Sequence, residues 1–313
     1  MVASAGRNEK GFTFVLSMLF IILYGSGFVG AKLGFPYAKP LSFLVVRFAL
    51  TSFLLLLVAL WMRSKWPSSW KETLHIGVSG IFLVCFFSVG TWVSMDMGVP
   101  PAISALITAL QPIAVTVASY FVFNKKVAGK QWLGLILGLM GVGLVVGENA
   151  VFDAQYSVGI LMSFLGLLGL TVGNLYQKRF CASMNIFTGG VIQSAVSGLL
   201  CLLLALSFDS LHVTWSGQFL FALGWMSVVI SLGATSFLYI LLRKGESHKV
   251  ASLFYLIPAV TAVISYLVFK TTLDAVQITG MMLAAVGVAL VNLNFSFLKS
   301  KAKETEKPAL QEV

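Results

Sequence analysis

Residues 101–123 (PAISALITALQPIAVTVASYFVF) and 247–269 (SHKVASLFYLIPAVTAVISYLVF) are two versions of one stretch, set 146 positions apart. Each is mostly apolar and carries one proline near its middle, Pro112 and Pro258. Without a gap, the offset pairs Ala105 with Ala251, Ser119 with Ser265, Tyr120 with Tyr266 and Phe123 with Phe269. It continues through Gln131/Gln277, Gly134/Gly280, Gly141/Gly287 and Val142/Val288. A run of about 22 apolar residues makes roughly 33 Å of helix, enough to cross a hydrocarbon core of about 30 Å. The chain therefore reads as a duplicated membrane protein.

Composition agrees. With 58% hydrophobic and 10% charged residues, there is too little polar surface to clothe a water-soluble globule. A formal charge of +10 raises the question of nucleic acid, but the basic residues sit in short clusters between apolar runs. That is a topology signal, so no nucleic-acid partner is expected. Cys85, Cys181 and Cys201 lie in apolar runs without ligand spacing, as small buried hydrophobes do. No metal and no cofactor is expected. The first apolar run is longer than a signal-peptide core and lacks a small-x-small cleavage site, so it is read as retained.

Ten apolar runs stand out: 11–31, 41–62, 74–95, 101–123, 131–147, 157–177, 187–207, 218–241, 248–269 and 275–297. Leu, Phe, Gly and Ala on all faces exclude the alternating strands of a β-barrel. The expected fold is an all-α integral membrane protein of ten transmembrane helices, as two inverted-topology repeats of five. The expected divisions are a tail at 1–10, a first repeat at 11–147, a second at 157–297 and a tail at 298–313. With both termini in the cytoplasm, the inner segments hold seventeen of the 21 Lys and Arg residues. Lys32, Lys39 and Lys270 fall outside, and Arg47 falls within a span. The opposite orientation would break the positive-inside rule almost everywhere. The expected location is a bacterial-type inner membrane, crossed many times.

Five spans per repeat is an odd number, so the second copy must enter the bilayer upside down. Charges at equivalent positions change accordingly: Lys125 and Lys126 align with Thr271 and Thr272, Arg63 with Asp209, and Met97 with Arg243. Lys32/Lys178 is an exception. Inverted repeats can open to one side and then exchange conformations to open to the other, around a site near the midplane. That mechanical consequence points to a transporter.

Candidate cavity residues follow from polarity inside spans. Arg47 lies about 10 Å along a helix from Pro40, where a charge usually faces a cavity or a partner, or else snorkels to the interface. Lys32 lies nearer the end of its span. Gln111, Asn174, Gln177 and Gln193 are uncharged polar residues within spans or at their ends. Tyr24, Trp92, Tyr239 and Tyr255 are aromatic candidates for an organic substrate, or belt and core residues. Pro112 and Pro258 each remove a helix hydrogen bond near mid-membrane, giving a static kink or a hinge. Gly25, Gly27 and Gly30 match G-x-G-x-x-G, but inside a span with no preceding strand they read as close packing or local bending. Gly134, Gly138, Gly141 and Gly143, with Gly280, Ala284 and Gly287, read as small-xxx-small packing, within the chain or between subunits.

No Asp or Glu lies in the middle of a span, so a proton pump with a buried carboxylate relay lacks its expected part. Nor is there a nucleophile with a base, a carboxylate pair or a ligand cluster inside a span, so no catalytic residue is named and no enzyme is expected. The leading expectation is a secondary transporter of small organic metabolites. A channel or lipid scramblase is the alternative, and an intramembrane enzyme a remote one. A small-molecule substrate and the lipid bilayer are the expected partners, with monomer and homodimer both open.

The chain resembles the ten-helix, EamA-type branch of the drug/metabolite transporter superfamily over about residues 12–297. The resemblance is carried by Gly25-Ser26-Gly27-Phe28, Arg47-Phe48, and residues 105–112 (ALITALQP) with their counterparts at 251–258, together with 131–143 and 277–288. It implies two five-helix bundles around a central cavity, spans 5 and 10 at the periphery, and export of amino acids, other small metabolites or drugs. Two departures stand out. Tyr24 occupies a place often held by Trp, and Asn124-Lys125-Lys126 follows span 4 where an acidic residue is usual.

Overall fold

The computed structural model describes residues 2–123, 128–150, 153–208, 211–234, 237 and 256–292. Among these there is no β-strand, only an isolated bridge between Ala38 and Val213. Seven helices are long and apolar enough to cross a membrane, and three shorter apolar ones follow them. Each of these helices overlaps one of the ten runs, as in a multi-pass membrane protein.

In chain order, α1 (Val2–Gly34) is span 1 and α2 (Pro40–Trp61) is span 2. Span 3 is α3 (Trp70–Asp96), with a π-helical segment at Ile81–Phe86. Span 4 is broken into α4 (Pro101–Ala109) and α5 (Gln111–Phe123). Spans 5 to 7 are α6 (Gly129–Ala150), α7 (Ala154–Phe180) and α8 (Ile186–Phe208). Span 8, α9, is Gly217–Gly224 running into a second π-helical segment, Trp225–Ala234. Spans 9 and 10 are α10 (Ile257–Phe269) and α11 (Ala275–Asn292). The helix of span 1 reaches back to Val2, so the expected N-terminal tail at 1–10 is helical from Val2 onward.

Helix starts follow the local sequence. Ser69, Asp153 and Ser216 each cap a first turn, accepting hydrogen bonds from the backbone amides of Glu72, of Gln155 and Tyr156, and of Phe219. The repeat duplicates a cap as well. Gln131 Oε1 accepts from the Ala128 amide at 2.9 Å, and 146 residues on Gln277 Oε1 accepts from the Asp274 amide at 3.2 Å. Each glutamine reaches back over the start of its helix, as the third residue of a capping box does.

Packing reveals how the halves relate. The main helix contacts are α6 with α11, α2 with α8, α3 with α7, α1 with α10, and α10 with α4; α1 with α9, α4 with α7, α3 with α8 and α2 with α9 also touch. Exchanging each span with the one five places away maps this set onto itself. Spans 5·10, 2·7 and 4·9 are self-paired, 1·9 exchanges with 6·4, 1·8 with 6·3, and 2·8 with 7·3. The direction of pairing is visible in the glycines. A methyl group at Gly134 would lie 2.5 Å from the Gly287 carbonyl oxygen, and one at Gly141 would lie 2.5 Å from the Gly280 carbonyl oxygen. These two contacts are images of each other under the 146-residue shift. As one helix advances from 134 to 141 its equivalent retreats from 287 to 280, so equivalent helices are antiparallel. One repeat is upside down relative to the other.

Glycine rows also set α3 against α7. A methyl at Gly90 would come within 2.5 Å of the Gly166 amide and the Met162 carbonyl, and one at Gly173 within 2.6 Å of the Leu83 amide. With no hydrophobic effect between helices in lipid, such close backbone approach and interhelical hydrogen bonds supply the cohesion. Three fully buried serines add to it where α3, α4 and α7 meet. Ser94 Oγ and Ser163 Oγ are 2.7 Å apart, and Ser163 Oγ donates to Ser104 Oγ at 3.0 Å. Ser163→Ala should therefore cost about 1–2 kcal/mol, read as a lower unfolding temperature of the purified protein in detergent. An unchanged midpoint would show that the three hydroxyls contribute nothing.

Candidate substrate site

The two prolines stand at equivalent places in the described helices of spans 4 and 9. In span 4, Leu110 forms a turn and Pro112 is the second residue of α5; in span 9, Leu256 precedes α10 and Pro258 is its second residue. Leu110 and Leu256 are 146 apart. In a first turn proline removes no bond the helix would otherwise make, so Pro112 starts a new half-helix where a kink within one helix was the alternative. Pro258 stands in the first turn of α10, and the residues just before Leu256 lie outside the described ones. An apolar cleft of about 280 Å³ is lined among others by Leu110, Leu256, Pro258 and Met281. The π-helical segments coincide too, since Ile81–Phe86 shifted by 146 gives residues 227–232, inside Trp225–Ala234. π-Bulges collect at kinks and functional sites.

The glycines of span 1 bring that helix onto the opposite repeat. Thr261 Oγ1 donates to the Gly25 carbonyl at 3.1 Å, and a methyl at Gly27 would meet Ile230 at 3.6 Å. A methyl at Gly30 would lie 2.8 Å from the Trp225 ring, whose Nε1 donates to Ser26 Oγ at 3.1 Å. G-x-G-x-x-G here gives close helix packing across the repeat interface. Gly134, Gly138, Gly141, Gly280 and Gly287 all lie in the α6–α11 contact, and a methyl at Gly138 would also clash with Ile113 of α5.

Arg47 stands two turns into α2 with its side chain half-buried. Its guanidinium carbon is 5.1 Å from the centroid of Trp92 and 5.3 Å from that of Phe48. Tyr24 on α1 and Cys201 on α8 are the titratable groups close enough to feel its charge. Arg47 Nε is buried and has no hydrogen-bond partner among the described residues. Trp92 is itself buried, held by Phe43 at 4.8 Å and Phe35 at 5.9 Å, with Phe219 behind Phe43 at 5.0 Å. Aromatic faces offset part of the cost of a cation in the bilayer, by about 0.5–2 kcal/mol. Insertion itself costs roughly 2.5–3.5 kcal/mol.

The other candidates separate from this cluster. Gln193, the repeat equivalent of Arg47, is buried and satisfied: Nε2 donates to Ser79 Oγ and to Gln177 Oε1, both at 2.9 Å. Asn174 donates back to the Leu170 carbonyl of its own helix at 2.9 Å. Gln111 is half-buried at the start of α5. Lys32 is in the last turn of α1, where a cation complements the helix dipole, 5.4 Å from the centroid of Phe269. Tyr239 and Tyr255 lie outside the described residues.

Sequence reasoning did not foresee three features. Cys85 and Cys201, on α3 and α8, bring their sulfurs to 3.7 Å. Ser227, fully buried in the π-helical part of α9, has an Oγ without a partner among the described residues. Thr51, one turn beyond Arg47, lies 3.5 Å from Ser231, one turn beyond Ser227. Spans 2 and 8 run in the same direction, so Arg47 and Ser227 sit at about one level.

Comparisons with known proteins agree with this architecture. The model of the EamA-like transporter family matches twice, at residues 11–147 and 157–293. An uncharacterized transporter of Bacillus subtilis, YvbV, is 25% identical over 309 residues, covering 96% of each chain. A protein of Escherichia coli named "probable amino-acid metabolite efflux pump" is 23% identical over 287 residues, covering 88% of this chain and 92% of its own. A solved crystal structure superposes with a TM-score of 0.63 at 15% identity, over 90% of this chain and 98% of the other, which speaks to the fold alone. With two family matches spanning the two antiparallel halves, the chain belongs to the EamA-like transporter family.

Proposed function

We propose that this protein is a secondary carrier that moves small organic metabolites across the cytoplasmic membrane by alternating access, in the direction of export and with both termini in the cytoplasm. The supporting observation is the exchange of helix contacts between two antiparallel repeats, combined with a first-turn proline at the equivalent place in both. Two units of one design, facing opposite ways, can trade conformations and so trade the side on which the space between them opens. The name of the Escherichia coli relative suggests amino-acid metabolites as the first cargo to try.

Counterflow in proteoliposomes tests the reading. Vesicles holding the purified chain and loaded with unlabelled amino acids should accumulate a labelled one transiently and saturably. Flux that rises linearly with concentration and carries ionic current would replace the carrier with a channel. Movement of fluorescent phospholipid between leaflets without solute counterflow would replace it with a scramblase.

A further inference from the structure

We propose that Arg47 is the anchor for a carboxylate on the transported molecule, an inference that rests on the carrier reading and gives it a substrate class: small organic acids, zwitterionic amino acids included. The argument begins with the comparison the duplication provides. Arg47 and Gln193 occupy one position of one fold. In the second repeat that position holds a neutral amide with partners in Ser79 and Gln177. In the first it holds a cation whose Nε is buried and unpartnered.

A structural role for Arg47 would call for a counter-charge or a set of carbonyl acceptors. The groups that feel its charge are a phenol and a thiol, Tyr24 and Cys201, and no carboxylate among the described residues is among them. The rings of Trp92 and Phe48 lie 5.1 and 5.3 Å from the guanidinium carbon, and Nε, one of its in-plane donors, has no partner among the described residues. A guanidinium offers its donors in a fixed planar fork that fits a carboxylate in two parallel hydrogen bonds. Ser227, at about the same level, adds a buried hydroxyl that also lacks a partner among the described residues. The site therefore has the polarity to meet an anionic group, with aromatic faces beside it.

The probes are the free amino acids and 2-oxo acids, each set against its primary amide. The purified full chain and its Arg47→Gln and Arg47→Lys variants are compared by thermal unfolding in detergent, which reads binding without requiring transport. Efflux of the same compounds from proteoliposomes is measured in parallel. At least one acid should stabilise the wild type, and its apparent affinity should fall about 10- to 100-fold in Arg47→Gln. Arg47→Lys should retain part of that binding, and the matching amide should bind none of the three. Gln is the residue the second repeat carries at this position, and monodisperse Arg47→Gln with a wild-type unfolding midpoint in the absence of ligand shows that the variant folds. Amides that bind and leave the vesicles as fast as the acids overturn the carboxylate anchor while the carrier stands. Acids that bind through Arg47 without any flux support the anchor and overturn the carrier. Binding of no acid at all overturns the anchor.

Discussion

Gly90→Val will leave little folded protein in the membrane. The added carbons have to occupy space 2.5 Å from the Gly166 amide and the Met162 carbonyl, which are backbone atoms of α7 that cannot swing aside as a side chain can. Overpacking of this kind costs about 3 kcal/mol or more. Relief requires α3 and α7 to part, and that separation would also strip the Ser94–Ser163–Ser104 hydrogen bonds. The check is the yield of monodisperse protein after detergent extraction. Gly143→Val is the control, because a methyl at Gly143 meets nothing within 4 Å. Equal yields from the two variants would show that the α3–α7 contact tolerates a wider spacing than the fold implies.

The second large effect concerns turnover. Replacing Pro112 and Pro258 together with alanine should lower the counterflow rate at least about tenfold while stability holds or rises. Both prolines lie in first turns, where proline is tolerated, and alanine exceeds proline in helix propensity by about 3 kcal/mol in a helix interior. In span 4 the substitution therefore favours one continuous helix over α4 and α5, two half-helices that can tilt independently. The apolar cleft beside Leu110, Leu256 and Pro258 supplies free volume for such tilting. Unchanged counterflow in the double variant would reduce the breaks to static bends.

How much of this was legible in the residues depends on how local each feature is. The ten spans follow from hydropathy, and the inversion follows from an odd number of spans per repeat. The paired prolines are visible as letters at one offset. The π-helical segments are not, because Ile81–Phe86 and its counterpart in α9 have the ordinary composition of a membrane helix. Gly173 against the Leu83 backbone is a contact between distant parts of the chain, with no local signature. The polar candidates divide for the same reason. Arg47 and Gln193 are both polar residues inside spans, one charged and one neutral, yet only helix rotation decides that Gln193 meets Ser79 and Gln177 while Arg47 meets the Trp92 face. The proximity of Cys85 to Cys201 likewise waits on which faces of α3 and α8 come together.

The glycine rows of α6 and α11 carry one more implication. Backbone rests on backbone at both Gly134–Gly287 and Gly141–Gly280, so sliding either helix lengthwise would drive a neighbouring side chain into a peptide group. The pair behaves as a spindle that joins the ends of the two repeats. On the carrier reading each cycle would proceed by swivelling about that spindle, and spin labels on its exposed flanks would keep a constant spacing while labels elsewhere in the chain move.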